Sequence, residues 1–216
     1  MKEKAMQSAI ARVDHLVYAT PDLERTVEEL TVRLGVGAAV GGRHPQWGTR
    51  NALIALGSSQ YLEVMGPDPT SLRKEQPRPF GIDGLRQARL ATWACKSNDI
   101  KKMVQIAKGV GVSLGTVQPG QRAKPDGTIL TWTLTDLEAD REGGVVPFFI
   151  DWGYSLHPAQ GAPSGCALRK LWAEHPNPDR IREILEAFEI DLPIQYGEVF
   201  RLKALVETKN GLVELD

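Results

Sequence analysis

The sequence lacks the features that define several classes of protein. Its charges are nearly balanced, with 26 Lys and Arg residues against 27 Asp and Glu residues, and its basic residues do not cluster. This balance argues against nucleic acid or an anionic membrane surface as a partner. No apolar run approaches the roughly 18 residues of a membrane span, and the N-terminal stretch MKEKAMQSAI lacks the sustained apolar segment of a signal peptide.

Cysteine is also scarce. Cys95 and Cys166 lie in separate apolar runs without metal-type spacing. We therefore expect two small buried side chains in a reduced, cytoplasmic protein. A P-loop, a dinucleotide-binding glycine motif, a GxSxG nucleophile elbow and an HExxH motif are all missing. These absences predict that no nucleotide cofactor is bound.

What the chain does contain is a repeated beginning. Three segments each run from a strand-like stretch into an amphipathic helix: LVYATPDLERTVEEL (16–30), ACKSNDIKKMVQIA (94–107) and AEHPNPDRIREILEAF (173–188). The predicted N-caps are Thr20, Ser97 and Asn177, since such side chains accept the unpaired N–H groups of a first turn. In the first segment, apolar residues recur at helical spacing from Leu23, which predicts one buried helix face.

Each helix is followed by a hairpin signal. The turns are expected at 57–59, at 143–144 and at Asn210–Gly211, a dipeptide suited to a tight turn. Each segment therefore has a β-α-β-β-β pattern, the third only in part, and the fold class is α+β. The predicted boundaries are a first domain at 11–158, made of module one (11–66), a linker (67–88) and module two (89–158), followed by a third, partial β-α-β-β module (165–216).

Modules one and two share more than their topology. GGRHPQWGT (41–49) aligns with GQRAKPDGT (120–128), a common G-x-R-x4-G-T pattern that indicates duplication. Arg43 and Arg122 coincide in this alignment, and we expect them to tie loop carbonyls or carboxylates or to hold an anionic ligand. The proline-rich linker is long for a connection inside a domain, and such loops are often binding loops or lids.

Paired β-α-β-β-β modules, with a histidine on the first strand and a glutamate on the last strand of one module, resemble the vicinal oxygen chelate superfamily. This superfamily includes glyoxalases, bleomycin-resistance proteins and extradiol dioxygenases. The set DHLVYATPDL, GGRHPQWGTRN, YLEVMGPDP and PFFIDWG is similar to its uncharacterised glyoxalase-like branch. The resemblance implies that the modules curl a mixed sheet into an open cup, in which a divalent metal ion is bound.

The resemblance also implies that metal ligands come from the first and last strands of each module. In module one they would be His15 and Glu63, and strand alternation allows both to face the cup. Module two departs from the pattern, because Thr92 aligns with His15 and Ile150 with Glu63. A one-residue slip would bring in Asp151 as a third metal ligand. His15 could instead be a core histidine bonded to Glu63 or to a backbone carbonyl.

The two copies differ at four positions in or just after the first G-x-R segment. Module one has His44, Trp47, Arg50 and Asn51 where module two has Ala123, Asp126, Ile129 and Leu130. Residues present in only one copy are candidates for the functional half of a pseudo-symmetric pocket, so these four are predicted to bind substrate. His44 could also supply the missing metal ligand. Tyr61, which shares a strand face with Glu63, and Trp93 are predicted to line the pocket and contact the ligand.

The predicted function is binding of a small organic molecule in the cup, with lyase or isomerase chemistry next to a carbonyl or hydroxyl group. A metal on His15 and Glu63 would polarise that oxygen, and Glu63 or a metal-bound water would move a proton. The alternative is a non-catalytic sequestering protein of the bleomycin-resistance type, which keeps the cup and binds no metal. The third module is expected to extend the sheet or to form a homodimer contact.

Overall fold

The computed structural model describes residues 7–73, 77–123 and 127–216. The described chain begins with a short strand, β1 (Gln7–Ser8), and a one-turn helix, α1 (Ala9–Arg12). Within these ranges no helix is both long enough and apolar enough to cross a bilayer.

Modules one and two both have the predicted β-α-β-β-β order. The elements of module one are β2 (Val13–Ala19), α2 (Leu23–Leu34), β3 (Ala39–His44), β4 (Thr49–Gly57) and β5 (Gln60–Pro67). Those of module two are β6 (Arg89–Lys96), α3 (Ile100–Gly109), β7 (Gln118–Ala123), β8 (Ile129–Leu134) and β9 (Phe148–Asp151).

The strands of the two modules form one mixed sheet in the order β3-β4-β5-β2-β6-β9-β8-β7. The first strands of the modules, β2 and β6, pair antiparallel at its centre, and each pairs in parallel with the last strand of its own module. The outer strands β3 and β7 approach each other, and Arg122 Nη1 donates to the Gly41 carbonyl across this seam at 2.6 Å. The sheet is thus a nearly closed cup, which confirms the predicted α+β fold.

Alternation along the strands divides the side chains between a concave and a convex face. On β2, Val17 and Ala19 point into the cup, whereas Leu16 and Tyr18 pack on the convex face. The apolar sides of α2 and α3 join the convex core. The concave face is therefore the one left for a ligand.

The elements of the C-terminal part are β10 (Ala167–His175), α4 (Pro178–Ala187), β11 (Ile190–Asp191), β12 (Ile194–Tyr196), β13 (Arg201–Thr208) and β14 (Gly211–Leu215). Four of these strands form a second, smaller sheet in the order β12-β10-β13-β14, and β11 pairs with β1. The last hairpin turns at Lys209–Asn210, one residue before the predicted pair, because Gly211 already pairs with Thr208.

This second sheet lies behind the cup rather than beside it. Leu171, Ile184 and Val206 belong to the same apolar core as the convex face, and Leu90 N–H of β6 donates to the Asp216 carbonyl at 2.8 Å. The expected extension of the main sheet by the third module is therefore wrong. Its apolar surface is buried by face-to-face packing instead of by edge pairing.

Two of the three helix starts differ from the prediction. Asn177 caps α4 as predicted, with its side chain accepting an N–H of the first turn. However, α2 is capped by Asp22 and α3 by Asp99, each of which accepts the N–H three residues further along. Thr20 and Ser97 accept the N–H groups of these aspartates. The hydroxyl residues thus close a turn just before the helix, and the aspartates begin it.

A bulge in the GGR stretch of β3 changes which side chains of this strand point to the concave face. The register between β3 and β4 shifts between Val40 and Gly42, which leaves Gly41 as the extra residue. A side-chain carbon on Gly41 would overlap Asn51 Oδ1 on the neighbouring strand. Glycine is needed at this position because the Asn51 side chain lies directly against the bulge.

Replacing Gly41 by alanine is expected to lower the free energy of unfolding by roughly 1–3 kcal/mol, because the added methyl group must displace Asn51. The matched control is Gly37→Ala, whose added carbon has no neighbour within 4 Å. Urea denaturation followed by circular dichroism measures both variants. Equal midpoints for the two would contradict this role of Gly41.

Candidate active site

The concave face encloses a small cavity between the two modules. The space that the centre of a water molecule can occupy is about 30 Å³, enough for one or two water molecules. Its wall carries polar side chains from module one and mainly apolar ones from module two. The lining residues are His15, His44, Trp47, Asn51, Tyr61, Glu63, Met65, Phe80, Arg122, Trp132, Leu134, Leu137, Phe148, Ile150 and Trp152.

His15 and Glu63 face each other in this cavity. They lie on the parallel strands β2 and β5, whose register pairs His15 with Tyr61 and Val17 with Glu63. His15 Nε2 is 3.4 Å from Glu63 Oε2, and both side chains are buried. Tyr61 stacks on the imidazole with 4.6 Å between ring centres. Strand pairing therefore brings together two residues that are 48 positions apart in the chain.

Behind His15 lies a buried carboxylate that the sequence did not single out. Asp14 Oδ1 accepts from His15 Nδ1 at 2.8 Å, and its Oδ2 accepts from His157 Nε2 and Trp152 Nε1, both at 3.1 Å. Burial alone would raise the pKa of Asp14, but the hydrogen bonds from the two histidines outweigh it and the net pKa is well below its usual range. Asp14 is therefore a buried anion at neutral pH.

The contacts of this anion fix the ring protons of both histidines. His157 Nδ1 accepts the Ala159 N–H at 3.3 Å, so its proton is on Nε2 and points to Asp14. In the same way, the acceptor Asp14 requires a proton on His15 Nδ1. This leaves His15 Nε2 as the atom that faces Glu63 and the cavity.

Asn51 holds the other side of the Glu63 carboxylate. Its Oδ1 accepts the Gly42 N–H at 2.8 Å, which orients the amide so that Nδ2 donates to Glu63 Oε1. One carboxylate oxygen is thereby fixed by a neutral donor, and the second remains for His15. The bulge at Gly41 is what allows this arrangement, because it makes room for the amide.

His44 enters the cavity as a neutral side chain. Burial lowers its pKa to about 4, although Glu63 acts in the opposite direction. Its Nδ1 is 3.1 Å from the Thr49 hydroxyl, and its ring lies edge-on to Trp47. Burial, together with the nearby Glu63, also raises the pKa of Tyr61 well above its ordinary value, so its phenol keeps its proton.

Three predicted site residues lie elsewhere. Arg50 points to the convex side, where its guanidinium pairs with Glu24 of α2 at 2.6 Å. Trp93 is completely buried in the convex core and donates Nε1–H to the Val145 carbonyl at 2.8 Å. Asp151 accepts the Gly153 N–H at 2.8 Å at the end of β9 and does not line the cavity. Each of the three lies on the opposite side of its strand from the residues that face the cup. The predictions that Arg50 and Trp93 bind the ligand and that Asp151 binds a metal are therefore wrong.

Comparison with known proteins supports the cup-shaped fold of the two modules. A family model described as "Glyoxalase-like domain" matches residues 13–188. The chain belongs to the glyoxalase-like domain family. This confirms the resemblance to the vicinal oxygen chelate superfamily, and the matched range ends just after α4. No functionally curated protein has a sequence that matches this glyoxalase-like chain significantly.

Solved structures resemble the glyoxalase-like fold at low sequence identity. A hypothetical protein from Staphylococcus aureus has a TM-score of 0.65 and 18% identity, over 88% of this chain and 87% of that one. Methylmalonyl-CoA epimerase from Mycobacterium tuberculosis has a TM-score of 0.44 and 20% identity, over 68% of this chain and 91% of that one. The Staphylococcus aureus structure shows the same fold, since its coverage extends beyond the two modules of the cup.

Among its described residues, the glyoxalase-like cup does not contain the superfamily's metal ligand set. In module two, Thr92 donates to the Gly144 carbonyl at 2.9 Å, and Ile150 is an apolar wall residue. In the part of the chain that the structure describes, no three His, Cys, Asp or Glu side chains are grouped closely enough to hold a metal ion, so His44 does not complete a site with His15 and Glu63. Two ligands are fewer than the three that catalytic zinc sites use.

Sequence reasoning missed Asp14 and His157 and left Arg122 undecided. Asp14 precedes His15 directly, but alternation alone places it on the opposite face. The register of β2 against β6 shifts between Val13 and His15, and this irregularity lets adjacent residues share one environment. His157 lies in the loop after β9, where Pro158 follows it. No local pattern connects it with Asp14, because the contact is tertiary.

Replacing His44 by glutamine is expected to flatten the dependence of stability on pH. In the folded protein burial lowers the His44 pKa from its ordinary value of 6.5 to about 4. Between these values the unfolded chain binds a proton that the folded one does not, so stability falls as pH is lowered from about 6.5 towards 4. From pH 7 to pH 5 this contributes about 2 kcal/mol. Urea unfolding at both pH values measures the difference, and parallel losses in wild type and His44→Gln would rule this contribution out.

Proposed function

We propose that this protein is a lyase or isomerase that moves a proton at a carbon next to the carbonyl group of a small organic molecule. The observation that carries the proposal is the buried His15–Glu63 pair, with Nε2 and Oε2 3.4 Å apart and Asp14 behind the imidazole. A carboxylate held on one side by Asn51 and exposed to a cavity on the other is suited to general-base catalysis.

In this proposal Glu63 is the base. Its carboxylate oxygen takes the proton from the carbon, the C–H bond breaks, an O–H bond forms, and the electron pair moves onto the carbonyl oxygen as an enolate. The proton is then returned to carbon or passed to His15 Nε2. Asp14 would stabilise the imidazolium that the second route forms, as the buried carboxylate of a catalytic triad does.

The rest of the cavity supports charge development on the carbonyl oxygen. Arg122 contributes a permanent positive charge, and His44 is neutral. Because the site is buried, such electrostatic effects are stronger than in water. No step in this proposal requires a metal ion, since the ligand set that would hold one is incomplete.

We further propose that the described part of the linker acts as a lid. Ile82 belongs to the apolar cluster of the concave face, and the partly buried Phe80 packs against that cluster, with its ring 6.3 Å from that of Phe148. A cavity of about 30 Å³ is too small for an organic substrate. Substrate entry therefore requires this segment to move outward.

The alternative function is non-catalytic binding of the same kind of ligand. The absence of a metal ligand set among the described residues and the aromatic wall of Trp47, Trp132 and Trp152 would suit such a protein. It differs from the enzyme in one respect that can be measured. A binding protein has no need for Glu63 to exchange protons with the ligand.

The test is hydrogen–deuterium exchange at the carbon next to the carbonyl of pyruvate and phenylpyruvate, followed by proton NMR in D₂O. Wild type is expected to accelerate exchange over buffer, and Glu63→Gln to lose roughly 10²–10⁴-fold of that acceleration. The matched control is Glu28→Gln, which removes the same charge from the exposed side of α2.

Equal exchange by wild type and Glu63→Gln would overturn the role of Glu63. Binding of the carbonyl acids without any accelerated exchange would favour the sequestering protein. Measuring metal content in the same samples tests the metal-dependent form of the enzyme. Activity that depends on stoichiometric metal would contradict the metal-free mechanism.

We also propose that the protein is cytoplasmic. Cys95 and Cys166 are both unpaired and buried. Free buried thiols are typical of proteins in reducing compartments.

A further inference from the structure

Module two contributes a buried cation to the cavity. Arg122 lies on the inner face of β7, lines the cavity and is 6% exposed. One of its nitrogens, Nη1, donates to the Gly41 carbonyl at 2.6 Å. In the described ranges no carboxylate lies within 4.0 Å of its guanidinium, although buried charges are normally paired. An unpaired buried cation in a cavity is complementary to an anionic ligand.

The equivalent arginine of module one does not line the cavity. Arg43 is 60% exposed on its side chain, and Asp68 lies 3.7 Å away. The bulge at Gly41 inverts the alternation of β3, so His44 faces the cavity and Arg43 faces away from it. Strand β7 keeps its register with β8 throughout. The difference between the two arginines is therefore built into the backbone.

A second donor beside Arg122 also lacks an acceptor. Trp132 is 7% exposed and lines the cavity, and its buried Nε1–H has no hydrogen-bond partner in the described structure. Its indole nitrogen lies against Gly120 of β7, where any side chain would collide with it. Gly120 and Arg122 are two residues apart on the same face of that strand. The orphaned N–H thus lies over the residue two positions before Arg122 on the cavity side of β7.

The chemistry of this cluster indicates a carboxylate. One cation and one neutral N–H suit a planar monoanion better than a phosphate dianion, and the acidic Glu63 in the same cavity would repel a second negative charge. A guanidinium also matches the planar geometry of a carboxylate. The space beside the cluster is narrow and has flat aromatic walls.

We propose that Arg122 and Trp132 form a subsite for the carboxylate group of the ligand in the cup. This inference rests on the proposed function, since it names the substrate class of the same site: small organic acids whose carboxylate lies near the reacting carbonyl. Arg122 is here a substrate-binding residue rather than only a link across the seam.

The experiment compares benzoate with its neutral isostere benzamide, and acetate with acetamide, by isothermal titration calorimetry. Wild type is expected to bind each acid at least about tenfold more tightly than its amide. Arg122→Gln should lose about 10–100-fold in affinity for the acids and little for the amides. Trp132→Phe, which removes the N–H donor together with the five-membered ring, should lose several-fold more affinity for the acids than for the amides. Arg43→Gln is the matched control and should behave as wild type.

Several outcomes would overturn the subsite. They are undiminished acid binding by Arg122→Gln, tighter binding of methylphosphonate than of acetate, and no acid binding by wild type up to about 10 mM. A merely structural role of Arg122 at the seam would weaken acids and amides together, so the ratio of the two affinities separates the roles. Arg122→Lys, which keeps the charge without the planar fork, should give an intermediate ratio.

The calorimetric measurement tests the carboxylate subsite independently of the proposed catalysis. Glu63→Gln should bind benzoate at least as well as wild type, because it removes a negative charge from the cavity. If Glu63→Gln keeps full proton exchange while Arg122→Gln loses acid selectivity, the catalytic proposal fails and the subsite stands. The opposite pair of results rejects the subsite alone.

Discussion

The buried carboxylate of Asp14 is the constraint on which the rest of the site depends. A charge in the interior is tolerated only when donors surround it, and here the three donors come from both modules of the cup: His15 from β2, and Trp152 and His157 from the segment after β9. The same hydrogen bonds tie the modules together and orient His15. The position of Nε2 opposite Glu63 is therefore a consequence of satisfying Asp14.

Two modules of common design contribute different chemistry to one cavity. Module one supplies the polar pair His15 and Glu63 and the amide that holds the carboxylate. Module two supplies aromatic walls and one cation, Arg122. Duplication gives both halves the same backbone, but catalysis needs unlike groups on either side of a substrate. The pseudo-symmetry of the fold is thus broken at the positions that face the ligand.

Much of the fold could be read from the chain because its signals are local. Capped amphipathic helices and turn residues at regular intervals predict the two β-α-β-β-β modules, and strand alternation correctly places His15, Tyr61 and Glu63 on the concave face. The same reasoning failed for Arg50, Trp93 and Asp151, whose parity relative to the cup depends on strand register. Asp14 and His157 are 143 positions apart, and no local pattern connects them.

The sequence by itself determined the modules and their duplication, because these follow from short-range periodicity and a repeated motif, and its strand and loop motifs resemble those of the family. Only the tertiary structure decided which side chains meet in the cup. Arg43 and Arg122 occupy the same place in the repeated motif, yet one faces out and the other into the cavity. The physical reason is the single extra residue at Gly41, since a one-residue shift in a strand moves every following side chain to the opposite face.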